Sequence, residues 1–203
     1  MLHRSIAMPE PVMREDDHRV VVYGIRWEQY EAIRAATDHV AGLRMTYLEG
    51  ALEIMSPSTR HELVKKLLAR LIEIYAIELD IPLTGVGSTT WRRKEMERAL
   101  EPDECYVLGP WKEVPDFAIE VVVTSGGLDK LEVYRGLGVA EVWFWVDGRM
   151  ALYQLAEGGY VPVERSRFLP DLDPTELTGV IAEADIHNQT AAVKRFRTRI
   201  LSR

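Results

Sequence analysis

Apolar and polar residues change their period several times along the chain, and each change marks an expected element. Residues 20–23 read as a short strand ended by Gly24. Trp27, Tyr30, Ile33 and Arg34 then recur at helical spacing, which predicts a helix over 26–36 that stops near Thr37 and Asp38. Residues 43–48 and 51–55 alternate apolar with polar, and Glu49-Gly50 between them supplies a tight turn, so the two read as a hairpin. Ser56-Pro57 leads into the longest helix. Its Leu63, Leu67, Leu68, Leu71, Ile74, Tyr75 and Leu79 form one apolar stripe before Pro82 ends it.

Residues 83–91 look extended and run into a basic cluster, Arg92-Arg93-Lys94. A short strand over 104–108 follows, then the turn signal Gly109-Pro110. The next run, 116–123, is rich in β-branched and aromatic residues and apolar on both faces, as a central strand is. Ser125-Gly126-Gly127 is expected to open a helix that ends near Leu137 and is capped by Gly138. A strand over 141–146 comes at once. Asp147-Gly148 is a hairpin signal that pairs 150–155 back on it, with 160–163 as a candidate third strand. From Asp173 the chain reads as two helical segments ending in a basic stretch, 194–203. Strands interleaved with helices predict an α/β fold with a mixed sheet flanked by helices, and the hairpins exclude a purely parallel sheet.

Composition narrows this little. The 203 residues suit one domain over 20–203 behind a flexible arm, 1–19. The opening residues mix prolines and charges and lack the apolar core of a signal peptide, and no stretch approaches a membrane span. A single cysteine, Cys105, allows no intrachain disulfide, which suits a reducing cytoplasm. The net charge of -7 repels nucleic acid as a whole, so any such contact must come from local patches and bound metal.

One residue in the central strand needs a reason. Glu120 is ionisable in an apolar run, and burying a lone carboxylate costs several kcal/mol, roughly, unless a cation or several donors meet it. If the strand over 104–108 pairs with it, Asp103 faces Glu120, and a divalent cation between the two acids is the natural partner. Neutralising either acid is then expected to leave the fold intact or more stable. The plainer readings are a buried salt bridge from Glu120 to Arg92 or Arg135, and a turn role for Asp103 beside Pro102. His61-Glu62 is not a zinc-protease motif, because Lys65 stands where the second histidine belongs. Glu62 also has the spacing of a capping box with Thr59. Lys130 follows a strand and two glycines, where free backbone N–H groups could meet a phosphate, although neither a Walker loop nor a dinucleotide fingerprint is present. Trp143 and Trp145 share one strand face, as core or interface.

An ordered series carries a resemblance: Tyr47-Leu48-Glu49-Gly50, Leu52-Glu53-Ile54-Met55-Ser56-Pro57-Ser58, His61-Glu62, Gly87-Ser88-Thr89-Thr90-Trp91, Glu101-Pro102-Asp103, Pro115-Asp116, Ile119-Glu120-Val121, Thr124-Ser125, Lys130, Tyr134 and Gly138-Val139-Ala140-Glu141-Val142-Trp143. It resembles the restriction-endonuclease-like superfamily with the PD-(D/E)XK signature, and within it the Uma-type endonucleases. The resemblance implies a restriction-endonuclease-like core with an N-terminal hairpin, and DNA phosphodiester hydrolysis with Mg²⁺ or Mn²⁺. Asp103 then matches the signature aspartate, Glu120 its second acid and Glu62 a first-helix glutamate. The metal would sit on Asp103, Glu120 and the Val121 carbonyl, with Glu62 on a second ion or its water, and His61 is a weaker candidate for the same neighbourhood. Val122 fills the slot of the signature lysine, and Lys130 from the next helix would stand in for it. The rival expectation is a nuclease-fold protein without efficient chemistry that binds DNA or a partner. A homodimer through the Trp143 and Trp145 face is also expected, since duplex cleavage needs two sites.

Overall fold

Glu49 and Gly50 both take left-handed backbone angles, φ 43° and 85°, which is the two-residue turn that matches strand twist. They close a hairpin of β2 (Arg44–Leu48) and β3 (Ala51–Ser56). The protein, here a computed structural model, is described over residues 15–124, 126–185 and 187–202. β1 (His18–Tyr23) pairs antiparallel with the far side of β3. On the other side β2 meets β6 (Arg98–Leu100), which carries β5 (Trp91–Arg93). The result is an antiparallel five-stranded sheet, β1-β3-β2-β6-β5. Helix α1 (Trp27–Thr37) presses Trp27 and Tyr30 onto Tyr47, with ring centroids 5.1 to 5.5 Å apart.

A second sheet runs β11-β10-β9-β8-β7-β4. Its strands are β4 (Leu83–Gly85), β7 (Glu104–Leu108), β8 (Phe117–Val122), β9 (Glu141–Val146), β10 (Arg149–Ala156) and β11 (Gly159–Val163). Only β8 and β9 pair in parallel, because α3 (Lys130–Leu137) carries the chain back between them. The sheet is therefore mixed, as expected. Alternation along β8 and β9 splits the core in two. Phe117, Ile119, Val121, Trp143 and Trp145 pack with α2 (Thr59–Glu78), α4 (Pro174–Ala182) and α5 (Gln189–Leu201). Ala118 and Val142, on the other face, pack with Val133, Tyr134 and Leu137 of α3, which lies between the two sheets.

Several expectations need correcting. Trp143 is fully buried and Trp145 nearly so, in the core under α2, so this face cannot be a dimer surface. Within the stretch over 83–91 only 83–85 and Trp91 are strand, in different sheets, and β6 was not anticipated at all. α3 begins at Lys130 and not at the glycines. Gly126 and Gly127 hold φ near +100°, which no helix can continue, and Asp129 caps the helix by accepting from the Glu132 N–H. α2 is capped by Ser58, whose hydroxyl accepts from the His61 N–H at 3.1 Å, so Glu62 falls one position too late for a capping box. Of the expected arm, residues 1–14 lie outside the described residues, whereas Asp17 is buried and His18 starts β1. No described helix is long and apolar enough to cross a membrane.

Candidate active site

The antiparallel register of β7 on β8 pairs Glu104 with Ile119, so one further step sets Asp103 opposite Glu120. Asp103 precedes β7, and its carboxylate takes over where the backbone ladder stops. Oδ2 accepts the Val121 N–H at 2.8 Å. Glu120 has no solvent exposure. Its two oxygens are taken by α3: the Lys130 ammonium holds Oε2 and the Tyr134 hydroxyl donates to Oε1. Lys130 and Tyr134 are four residues apart, so they share the helix face turned to β8. Glu120 is thus partnered by Lys130, while Arg92 pairs with Glu31 and Arg135 with Glu132.

The electrostatics follow from burial and neighbours. Burial pushes the Glu120 carboxyl up, the Lys130 ammonium opposes this, and the nearby Asp103 charge adds to the rise, leaving Glu120 above the usual carboxylate range. Burial pushes Asp103 up as well, but the His61 imidazole, Lys130 and the Val121 N–H together outweigh it and hold the carboxyl down at about 2. For Lys130, burial disfavours the charge, and Glu120, Asp103 and Glu53 together more than restore it. One ammonium therefore serves several acids in a site almost closed to water.

His61, fully buried on the first turn of α2, stands on the other side of Asp103. Its Nε2 lies 2.9 Å from Asp103 Oδ1 and its Nδ1 lies 3.1 Å from Asp17 Oδ2. The Nε2 contact is a close charge pairing without good hydrogen-bond alignment. Burial favours the neutral ring, yet Asp103 and Asp17 push it up to about 9. Glu62, the expected first-helix acid, joins none of this. Its carboxylate pairs with Lys65 at 2.6 Å and is 41% exposed, because the Ser58 cap turns His61 rather than Glu62 inward.

Glu53, part of the Leu52-Glu53-Ile54 motif, is a site residue with no role expected from the sequence. It is buried on β3, accepts the Leu128 N–H at 2.9 Å, and lies 3.6 Å from the Arg19 guanidinium. An acid between Leu52 and Ile54 in an alternating strand was the available signal. The Leu128 contact also corrects the expected phosphate cradle, since a carboxylate already takes that N–H. A groove lined by Arg19, Glu53, Val122, Leu128 and Lys130 opens beside the acids. A larger one, lined by Thr59, Arg60, Val122, Trp145 and His187, lies against the same strand end. Val122, in the signature lysine's slot, borders both.

Among the described residues no three His, Cys, Asp or Glu side chains gather as a metal-binding group. Asp103 and Glu120 still offer hard oxygen donors. Each carboxylate oxygen has two lone pairs, and the bonds observed leave some unused. The ammonium of Lys130 already supplies positive charge there.

A family model with the description "Uma2: Putative restriction endonuclease" matches residues 27–185, more than half of the chain. No curated protein matches. The matched stretch contains Glu53, His61, Asp103, Glu120, Lys130 and Tyr134, and it leaves out Asp17 and Arg19.

Proposed function

Because the chain belongs to the Uma2 family, described as "Putative restriction endonuclease", we propose that it hydrolyses phosphodiester bonds in DNA with Mg²⁺ or Mn²⁺. The observation that carries the reading is the buried Asp103 and Glu120 pair, opposite one another at a strand end and joined to a lysine. Buried acids shifted by desolvation and by specific charged partners, with Lys130 lining a groove beside them, mark a functional-site candidate. Asp103, Glu120 and the Val121 carbonyl would hold the ion, which when bound polarises a phosphate and lowers the pKa of water.

The chain's own residues do the rest. Tyr134 fixes one oxygen of Glu120, and the Val121 N–H fixes one oxygen of Asp103, so both acids present their free lone pairs in a set direction. Lys130, once free of Glu120, carries a positive charge to the attacked phosphate, where it offsets charge in the transition state or orients water. This is the task Val122 cannot perform. Glu62 has no part in this mechanism, given its pairing with Lys65. Cutting both strands would take two copies of the site, and light scattering at micromolar concentration tests for a homodimer on a face other than that of Trp143.

Supercoiled plasmid incubated with Mg²⁺ or Mn²⁺ is the test, with conversion to nicked or linear DNA expected. A protein that binds Mn²⁺ and DNA but cuts nothing would instead be the non-catalytic rival, which Val122 favours.

A further inference from the structure

Residues 17–19 precede the stretch that matches the family, yet they bond to the cap of α2, to His61 and to the loop that follows β8. Asp17 is 7% exposed and bonds in three directions. Its Oδ1 accepts the Ser58 N–H at 2.7 Å, at the cap of α2. Its Oδ2 meets His61 Nδ1 at 3.1 Å. Its own N–H donates to the Thr124 hydroxyl at 3.2 Å, in the loop that leads from β8 toward Lys130. Two residues on, Arg19 reaches the carbonyls of Thr124 and Gly126 and approaches Glu53. A segment that merely covered the surface would not leave a carboxylate buried with both oxygens committed.

The imidazole between them has two faces with different duties. With Nδ1 tied to Asp17, rotation of the ring is restrained and Nε2 is held 2.9 Å from Asp103 Oδ1. Oδ2 of Asp103 is already fixed by Val121, so the His61 contact sets the remaining freedom of the carboxylate. We infer that Asp17 and His61 are positioning residues, which lock the Asp103 carboxylate in the orientation that receives a divalent cation. The inference rests on the reading of Asp103 as a metal ligand. It extends the working site to a residue outside the family-matched stretch. Partners of this kind, one step behind a ligand, typically cost about 10- to 100-fold in metal affinity when removed.

The experiment uses the full chain and four variants: Asp17→Asn, Asp17→Ala, His61→Gln and His61→Leu. Asp17→Asn keeps an oxygen for the Ser58 N–H, and His61→Gln keeps a donor near Asp103. Nitrogen-15 spectra of the histidine rings, taken without metal, should show a slowly exchanging Nδ1 proton in the wild type that is lost in Asp17→Ala. Calorimetric titration with Mn²⁺ should show affinity falling about 10-fold or more in Asp17→Ala and His61→Leu, and much less in His61→Gln. Melting curves identify any variant whose loss is unfolding, and His61→Gln against His61→Leu then isolates the donor. Wild-type affinity in Asp17→Ala and His61→Leu, with the ring proton lost in the former, would overturn the inference and leave the nuclease reading standing. A wild type that binds no Mn²⁺ would overturn both.

Discussion

Glu120→Gln tests whether the site is held together by its ion pair or strained by its acids. The substitution removes one carboxylate and leaves the Lys130 ammonium in a position only 14% exposed, with its nearest counter-charge gone. Breaking a buried pair from one side typically costs about 3–5 kcal/mol, because the surviving charge stays desolvated. Asp103 still lies within reach of Lys130 and recovers part of this, so a loss of about 2–4 kcal/mol is expected. In a chain of this size each kcal/mol moves Tm by about 2–4 °C, which puts the fall at about 4–16 °C. Lys130→Met should cost a similar amount, since it strands Glu120 with only the Tyr134 hydroxyl. The double variant Glu120→Gln/Lys130→Met strands neither charge, so it should be more stable than the sum of the singles by about 2 kcal/mol or more. Circular dichroism melts at neutral pH with a chelator present give all four corners of the cycle. The acids considered alone predict the opposite sign, namely a neutral or stabilising Glu120→Gln. Single variants that melt with the wild type, or effects that add within about 0.5 kcal/mol, would refute the ion-pair account.

Three further outcomes follow from the same geometry. Mn²⁺ at a hundredfold excess over Kd should stabilise the wild type by about 2.7 kcal/mol and leave the melt of Asp103→Asn unmoved, as read by scanning fluorimetry. Lys130→Ala should lower turnover by about two orders of magnitude while calorimetric Mn²⁺ affinity is unchanged or tighter, because the ammonium competes with the ion for Glu120; full activity in this variant would remove Lys130 from the mechanism. Gly127→Ala should destabilise by about 1–3 kcal/mol in urea melts, since φ is +104° and the added methyl would overlap the Glu53 carboxylate.

The parts of this molecule that local chemistry decides were legible in the sequence. Glu49-Gly50 and Asp147-Gly148 each place an acid and a glycine at positive φ, and both hairpins are where that pattern puts them. The pairing of Asp103 with Glu120 needed only two strands and the turn between them. What was hidden depends on contacts far apart in the chain. β6 has three residues and opens with Arg98, whose guanidinium is buried by the Met96 and Glu132 carbonyls and the Glu49 carboxylate, none of which a periodicity can reveal. Asp17 meets His61 across 44 residues, from a stretch with no apolar period around it. The choice between His61 and Glu62 turned on a single step of phase, set by Ser58 taking the cap that Thr59 also matched. Trp143 and Trp145 were correctly placed on one strand face, but alternation cannot say that α2 covers it.

Cleavage of supercoiled plasmid by the wild type, Asp103→Asn and Glu120→Gln, each with Mn²⁺ and with a chelator, tests the central claim most directly. The buried acid pair predicts nicked or linear product from the wild type with Mn²⁺ alone, and none from either variant or from any protein with the chelator. Intact plasmid from a folded, Mn²⁺-bound wild type, or cutting by the variants equal to that of the wild type, would contradict it.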